Sequence, residues 1–106
     1  MESTNALAAL NALSHETRLA AFRRLVKAGP PGMSVGELRE ELDVPPATLT
    51  AHLNVLRTAS MVKDQREGRV IRVTANFEQM NALLNYLTEN CCAGTGACAP
   101  VSVCRR

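Results

Sequence analysis

The chain has 106 residues, which is long enough to bury a hydrophobic core without metal or disulfide support. Hydrophobic residues make up 46% and charged residues 21%, which excludes a disordered or fibrous chain, and the 3% of aromatic residues favours helices over an all-β sandwich. The net charge of +2 excludes little by itself. Neither a membrane span nor an export signal is evident, so we expect a soluble cytoplasmic protein of one compact domain.

The amino-terminal part of the sequence predicts three helices. Helical spacing of apolar residues places the first over residues 4–13 and the second, capped by Ser14, over residues 15–28. The apolar positions of the first are Ala6, Leu7, Leu10 and Leu13, and the predicted core positions of the second are Leu19, Phe22, Leu25 and Val26. A Gly-Pro-Pro-Gly run at 29–32 ends the second helix. Ser34 and Glu37 form a capping box that opens a short third helix.

The fourth predicted helix has two contrasting faces. It begins with Pro46 at its first position, after a turn over residues 43–45, and runs to about Ser60. Its inward stripe is Leu49, Leu53 and Leu56. The opposite arc carries only small or uncharged polar residues, namely Ala47, Thr48, Thr50, Ala51, Asn54 and Thr58. A solvated face usually carries Lys and Glu, so this arc is suited to close approach by a partner.

A hairpin and a last helix complete the predicted elements. Residues 61–73 contain two β-prone runs joined by Glu67-Gly68. Asn76 caps the last helix, which runs to about Asn90. Apolar residues lie along that helix at a and d spacing, namely Phe77, Met80, Leu84 and Leu87. Such a narrow apolar seam on a terminal helix usually meets another helix.

These elements together predict a winged helix–turn–helix, mainly α with a small β-hairpin, which binds DNA. The major groove admits one helix, and Thr48, Thr50 and Asn54 can reach base edges or phosphates from the fourth. The wing supplies the basic residues Lys63, Arg66, Arg69 and Arg72 for phosphates or the minor groove. The alternative for the hairpin is a soluble two-stranded flap. His52 lies roughly 60–70° from the centre of the core stripe, which leaves open a DNA contact or a half-buried ring bonded to the backbone.

Four segments resemble the ArsR/SmtB family of small bacterial repressors. They are SHETRL from Ser14, SVGEL from Ser34, TLTAHLNVLR from Thr48 and GRVIR from Gly68, and the match runs over residues 4–90 in family order and spacing. The resemblance implies a homodimer formed through the first and last helices. It also implies release from operator DNA, expected to be an inverted repeat, when a metal or metalloid binds.

Both common effector sites of that family are missing from this sequence. The best-known arsenic sensors carry a Cys-Val-Cys-Asp-Leu motif at the start of the third helix, where this chain has Ser34-Val-Gly-Glu-Leu38. The family's zinc pattern on the last helix is also absent, because residues 81–89 contain neither His nor Asp. The sensing chemistry is therefore expected elsewhere in the chain.

All four cysteines lie near the carboxyl terminus, at Cys91, Cys92, Cys98 and Cys104. Adjacent cysteines are awkward for a local disulfide, and no zinc knuckle is present, but three thiolates can gather on a soft centre such as trivalent arsenic. Some arsenite-responsive members of the family carry a similar Cys-Cys-x5-Cys site, which implies Cys91, Cys92 and Cys98 as ligands. Cys104 lies beyond that motif and is open to three interpretations: a spare ligand, a metal-exchange thiol or a passenger. We divide the chain into a DNA-binding and dimerisation domain of residues 1–90 and a metalloid-binding tail of residues 91–106.

The expected function is a homodimeric repressor that arsenite or antimonite releases from operator DNA, without catalytic activity or a catalytic cofactor. One alternative is a zinc, cadmium or copper(I) sensor that uses all four thiols. Another is a redox switch in which Cys91 or Cys92 pairs with Cys98 or Cys104. A thiol enzyme is the weakest alternative, because no phosphate-cradling loop and no acid–base partner accompany a cysteine. A cysteine tail without function is the remaining interpretation.

Overall fold

The computed structural model describes residues 1–89. Its elements in chain order are α1 (Ser3–Leu13), α2 (Glu16–Ala28), β1 (Met33–Ser34), α3 (Val35–Leu42), α4 (Pro46–Thr58), β2 (Val62–Glu67), β3 (Val70–Ala75) and α5 (Phe77–Thr88). The predicted winged helix–turn–helix, mainly α with a small hairpin, is confirmed: α3 and α4 form the helix–turn–helix, and β2 and β3 form the wing. No helix within residues 1–89 is long and apolar enough to cross a membrane.

The wing belongs to a three-stranded antiparallel sheet in the order β1-β3-β2. Strands β2 and β3 pair from Val62 opposite Ala75 to Glu67 opposite Val70, so the turn is Gly68-Arg69 rather than the predicted Glu67-Gly68. The sequence analysis missed β1, because a two-residue strand is too short to show an alternating pattern. This strand joins the helix–turn–helix to the wing.

The core lies between the helices and the inner face of the sheet. Its largest fully buried side chains are Leu25, Leu38, Leu49, Leu53, Leu56, Met61 and Val73. The predicted inward stripe of α4 is confirmed, since Leu49, Leu53 and Leu56 are all completely buried. Burial of a leucine side chain contributes roughly 1.5–3 kcal/mol, so this stripe firmly fixes which face of α4 points outward.

The buried faces of α1 and α2 agree only in part with the predicted ones: Phe22 and Leu25 are buried as predicted, and Val26 packs partly buried against the core. Helix α1 packs inward through Ala6, Ala9 and Ala12, whereas Leu7 and Leu10 are 65% and 40% exposed. In α2 the buried residues are Ala21, Phe22 and Leu25, whereas the predicted core residue Leu19 is 43% exposed. Leu19 lies roughly 110° around the helix from the centre of that buried arc. Small alanines on the buried face of α1 allow the neighbouring helices to pack closely, which apolar spacing alone does not reveal.

The helix ends follow the predicted capping chemistry in α3 and α5 but not in α2. The capping box of α3 is confirmed, because the Ser34 hydroxyl accepts from the Glu37 amide at 3.1 Å and the Glu37 carboxylate accepts from the Ser34 amide at 2.9 Å. Asn76 caps α5 as predicted. The cap of α2 is His15 rather than Ser14, whose hydroxyl instead donates to the Asn11 carbonyl at the end of α1. Helix α4 ends at Thr58 and α5 at Thr88, each two residues before its predicted end.

Candidate DNA-binding surface

The outer arc of α4 is open to solvent. All of its predicted members are exposed, namely Ala47, Thr48, Thr50, Ala51, Asn54 and Thr58. Because the buried leucine stripe fixes the rotation of the helix, Thr48, Thr50 and Asn54 present hydroxyl and amide groups on the outside. The small residues among them let a partner approach the helix backbone. This surface has the chemistry needed for hydrogen bonds to base edges or phosphates.

Asn54 is connected to the wing through Arg57. The Arg57 Nη1 donates to Asn54 Oδ1 at 2.9 Å, and Arg57 Nε donates to Asp64 Oδ1 on β2 at 3.1 Å. The sequence analysis missed Arg57 and Asp64 as members of the site. The i, i+3 spacing of Asn54 and Arg57 on one helix was the available signal, whereas the contact with Asp64 exists only in the folded chain.

His52 lies beside the junction of α1 and α2. The ring is half-buried and packs against the His15 ring, with 4.3 Å between the centroids and the two planes tilted by 39°. Its Nδ1 is 3.4 Å from Arg18 Nη1, and Arg18 Nε donates to the Ala12 carbonyl at 2.7 Å. A half-buried ring was one of the two predicted alternatives, but its partner is a side chain rather than the backbone. Burial, followed by the charges of His15 and Arg18, lowers the pKa of His52.

The four basic wing residues do not form one patch. Side chains alternate along a strand and paired residues share a face, so Lys63 and Arg72 lie on one face and Arg66 lies on the other with Asp64. Arg69 lies in the turn. Lys63, Arg66 and Arg69 are exposed.

Arg72 makes contacts within the protein that the sequence did not predict. Its Nε donates to the Pro31 carbonyl at 2.8 Å and its Nη2 donates to the Gly32 carbonyl at 3.0 Å. The Glu37 carboxylate lies 3.7 Å from the same Nη2. Arg72 therefore ties the turn before β1 to the wing, and this structural role differs from the phosphate contact expected of it.

The predicted thiolate ligands cannot be located in the structure. Cys91, Cys92, Cys98 and Cys104 lie outside the described residues, as does the whole of the predicted tail. In the part of the chain that the structure describes, no three His, Cys, Asp or Glu residues are grouped to hold a metal ion. The ligand set therefore stays a prediction.

Comparison with known proteins identifies the class. A family model described as a helix-turn-helix domain matches residues 13–65. The HTH-type transcriptional regulator YgaV of Escherichia coli is 31% identical over 87 residues, which cover 82% of this chain and 86% of that protein. The transcriptional repressor SdpR of Bacillus subtilis is 28% identical over 69 residues, which cover 61% of this chain and 74% of that protein. The fold and these matches define a DNA-binding transcriptional regulator and not an enzyme.

Solved structures narrow this class to one family. The ArsR-like transcriptional regulator from Rhodococcus sp. RHA1 has a TM-score of 0.73 and 28% identity, over 85% of this chain and 81% of that one. This chain belongs to the ArsR-like family of helix–turn–helix transcriptional regulators, as the four sequence segments predicted.

Proposed function

We propose that this regulator is a repressor that binds an inverted-repeat operator as a homodimer and leaves it when trivalent arsenic or antimony binds to carboxyl-terminal thiolates. The observation that carries the proposal is the position of the cysteines. All four lie between residues 91 and 104, and Cys91 follows the last residue of α5, Thr88, by three positions. A ligand bound there would act on the end of α5.

The choice of ligand rests on thiolate chemistry. Soft, thiophilic centres prefer sulfur ligands, and the spacing of Cys91, Cys92 and Cys98 offers three thiolates to one centre. Trivalent arsenic and antimony bind three sulfurs in a pyramid, whereas zinc takes four ligands in a tetrahedron. The use of three or of all four cysteines therefore distinguishes the metalloid from the zinc or cadmium alternative.

Exposed leucines on α1 and α5 support the homodimer. Helices α1 and α5 contact each other, and Leu7 and Leu87 on them are 65% and 54% exposed. Leu10 adds a third exposed leucine on α1. Covering them with the same helices of a second copy removes this apolar surface from water and mounts two α4 helices on one rigid support. Two such helices suit half-sites about one turn of DNA apart.

Binding at the tail changes the DNA affinity through α5. The ligand shifts the equilibrium only by its differential affinity for the free and the DNA-bound dimer. A 100-fold loss of DNA affinity requires about 2.7 kcal/mol of coupling. A small displacement of α5 in the dimer interface changes the spacing of the two α4 helices and hence their fit to successive grooves.

The test is a mobility-shift titration with the full chain and a duplex selected from a randomised pool. We expect arsenite and antimonite to release the wild-type protein. The Cys91→Ser, Cys92→Ser and Cys98→Ser variants should bind normally and stay bound, and the matched control Cys104→Ser should still be released. If Cys104→Ser stays bound and Cys98→Ser is released, the third ligand is Cys104.

Parallel titrations distinguish the alternative effectors. Release by zinc, cadmium or copper(I), with arsenite ineffective, contradicts the metalloid proposal and supports a metal sensor. Release by peroxide that a thiol reductant reverses, again with arsenite ineffective, supports the redox switch. If none of these additions changes DNA binding, the cysteines do not sense any of them.

A further inference from the structure

The tip of the wing has little support from the rest of the sheet. Strand β1 pairs with β3 only at Val73 and Arg72, so the wing beyond this point is a ribbon of two strands. Such a ribbon is only marginally stable by itself. The exposed arginines Arg66 and Arg69 lie on it. The direction in which they point relative to α4 therefore depends on contacts at the base of the wing.

Two arginines hold the base of the wing from opposite faces. On one face, Arg72 bonds to the carbonyls of the turn at residues 31–32. On the other face, Asp64 of β2 accepts from Arg57 Nε of α4 at 3.1 Å. The residues that Arg72 and Asp64 pair with across the ladder are consecutive neighbours of these two, so the contacts lie at the same level of the ribbon. The contact between Arg57 and Asp64 is the one that connects the wing to α4.

Arg57 joins both parts of the candidate DNA-binding surface. Its Nη1 donates to Asn54 Oδ1 on the outer arc at 2.9 Å, while its Nε holds Asp64. The planar guanidinium presents its donors in a fixed fork, so the two bonds together fix its orientation. The Arg57 and Asp64 side chains are 29% and 41% exposed, so water competes with their bond only in part.

We propose that Arg57 and Asp64 are positioning residues that hold the wing at the angle at which its tip and α4 contact the same duplex. The proposal rests on the DNA-binding surface described above and deepens it by giving an acidic side chain a role in DNA affinity. A wing that is already at the correct angle does not have to be ordered when DNA binds, and this saving strengthens the complex.

The charge of Asp64 gives the proposal a distinctive sign. A carboxylate on a surface that approaches phosphates repels them, so electrostatics alone predicts that its removal strengthens DNA binding. Removal of Asp64 also frees Arg57, whose positive charge is then available to phosphates. Positioning predicts the opposite result, because the wing loses its connection to α4 and its arginines contact the duplex less often.

The experiment measures the Kd of full-length variants for one duplex, selected with the wild type from a randomised pool, at several salt concentrations. Asp64→Ala should weaken binding roughly threefold to tenfold, the cost of ordering a contact that the wild type holds in place. Asp64→Asn removes the same charge but keeps an oxygen that accepts from Arg57, so it should lose about twofold at most. Electrostatics alone predicts equal affinities for these two variants.

Glu67→Ala is the matched control, because Glu67 is also an acid on β2 but has no ion pair or side-chain hydrogen bond within residues 1–89. Its removal should leave the affinity unchanged or increase it slightly, for all duplexes alike. Exposed ion pairs contribute little to folding, so the Asp64 variants should unfold near the wild-type temperature.

A double-mutant cycle supplies the second measurement. Arg69→Ala should reduce the affinity less in the Asp64→Ala background than in the wild type, because a wing that is not held in place contributes less to binding. If Asp64→Ala does not fold, the same cycle with Arg57→Ala and Arg69→Ala tests the contact from its other side. Additive losses in the cycle would mean that the wing binds independently of the contact, which contradicts the inference.

The remaining outcomes separate this inference from the DNA-binding surface itself. If Asp64→Ala binds as tightly as the wild type or more tightly, with a steeper salt dependence, Asp64 only repels phosphates and the positioning role is wrong. Equal losses in Asp64→Ala and Asp64→Asn also overturn it. If Asn54→Ala and Arg69→Ala both leave the affinity unchanged, α4 and the wing do not contact DNA there, and both proposals fail.

Discussion

At the residue scale, single side chains in this small domain join elements that are distant in sequence. Arg18 contacts both the end of α1 and His52 on α4. Arg72 bonds to carbonyls about forty residues earlier in the chain. Each guanidinium has several donors, so one arginine can satisfy several carbonyls that would otherwise lack partners. Substitution of such a residue therefore affects the relative placement of whole elements.

Gly32 should be the least replaceable glycine in the wing region. Its φ of +68° disfavours any side chain, and an added Cβ would lie 2.5 Å from the Thr74 Cγ2 and also against the Val73 carbonyl oxygen. We expect Gly32→Ala to destabilise the fold by about 2–5 kcal/mol, through backbone strain and steric overlap together. Urea unfolding measures this loss.

Gly68 is the matched control, because its φ is +61° but an added Cβ meets nothing within 4 Å. Gly68→Ala should cost only about 1–2 kcal/mol, the strain of the backbone conformation alone. Equal losses in the two variants would show that the close approach at Gly32 contributes nothing.

His52 should make the stability depend on pH. Its pKa is lowered in the folded protein by burial and by the charges of His15 and Arg18, so the unfolded chain takes up the proton first as pH falls. The stabilisation is complete above the unfolded pKa of about 6.5 and is lost as pH falls toward the folded value. We expect urea midpoints to fall between pH 7.5 and 5.5, and the fall to be shallower in His52→Gln. The same pH dependence in both proteins would contradict this role.

At the element scale, the wing combines a structural face with an exposed basic edge. Arg66 and Arg69 are exposed, whereas Arg72 is held by the turn at residues 31–32. The division follows from position in the sheet: Arg72 lies on the central strand opposite β1 and bonds to the turn before it, whereas Arg66 lies on the edge strand and Arg69 in the turn.

Substitutions in the wing should therefore separate DNA affinity from stability. Arg66→Ala and Arg69→Ala should weaken binding to every duplex alike, reduce the salt slope by about one and change stability by less than about 0.5 kcal/mol. Arg72→Ala should instead cost about 1–3 kcal/mol of stability, because two carbonyls lose a charged donor, and should leave the salt slope unchanged. A loss of sequence preference in Arg66→Ala or Arg69→Ala would mean that the wing reads bases.

At the scale of the whole molecule, the exposed leucines of α1 and α5 should hold two copies together. Leu87→Glu should shift the protein from dimer to monomer in sedimentation at micromolar concentration, because the interface would bury a charge without a partner. Val70→Glu is the matched control: Val70 is similarly exposed, at 47%, but lies on the wing. It should leave the association state unchanged. A wild type that sediments as a monomer at this concentration would contradict the homodimer.

The sequence by itself determined the order of the helices, the hairpin, the capping box of α3 and the inward stripe of α4. These features follow from interactions between residues close in the chain, such as Ser34 with Glu37, or from burial spaced at one helical period, as in Leu49, Leu53 and Leu56. The same periodicity predicted that Thr48, Thr50 and Asn54 lie on the exposed face of α4. The four segments that resemble the ArsR/SmtB family were enough to indicate the family.

Only the tertiary structure decided that α1 buries its alanines rather than Leu7 and Leu10, that Leu19 of α2 is exposed, and which polar side chains act together. In α1 both the alanines and the leucines recur at helical spacing. Which of the two sets is buried depends on how closely the neighbouring helices pack. Arg57 with Asp64, Arg72 with Gly32, and His52 with Arg18 are pairs formed across elements, and their partners are set by the packing of those elements. Local pattern carries no information about such contacts, because a side chain's hydrogen-bond partner depends on geometry that exists only once the core has formed.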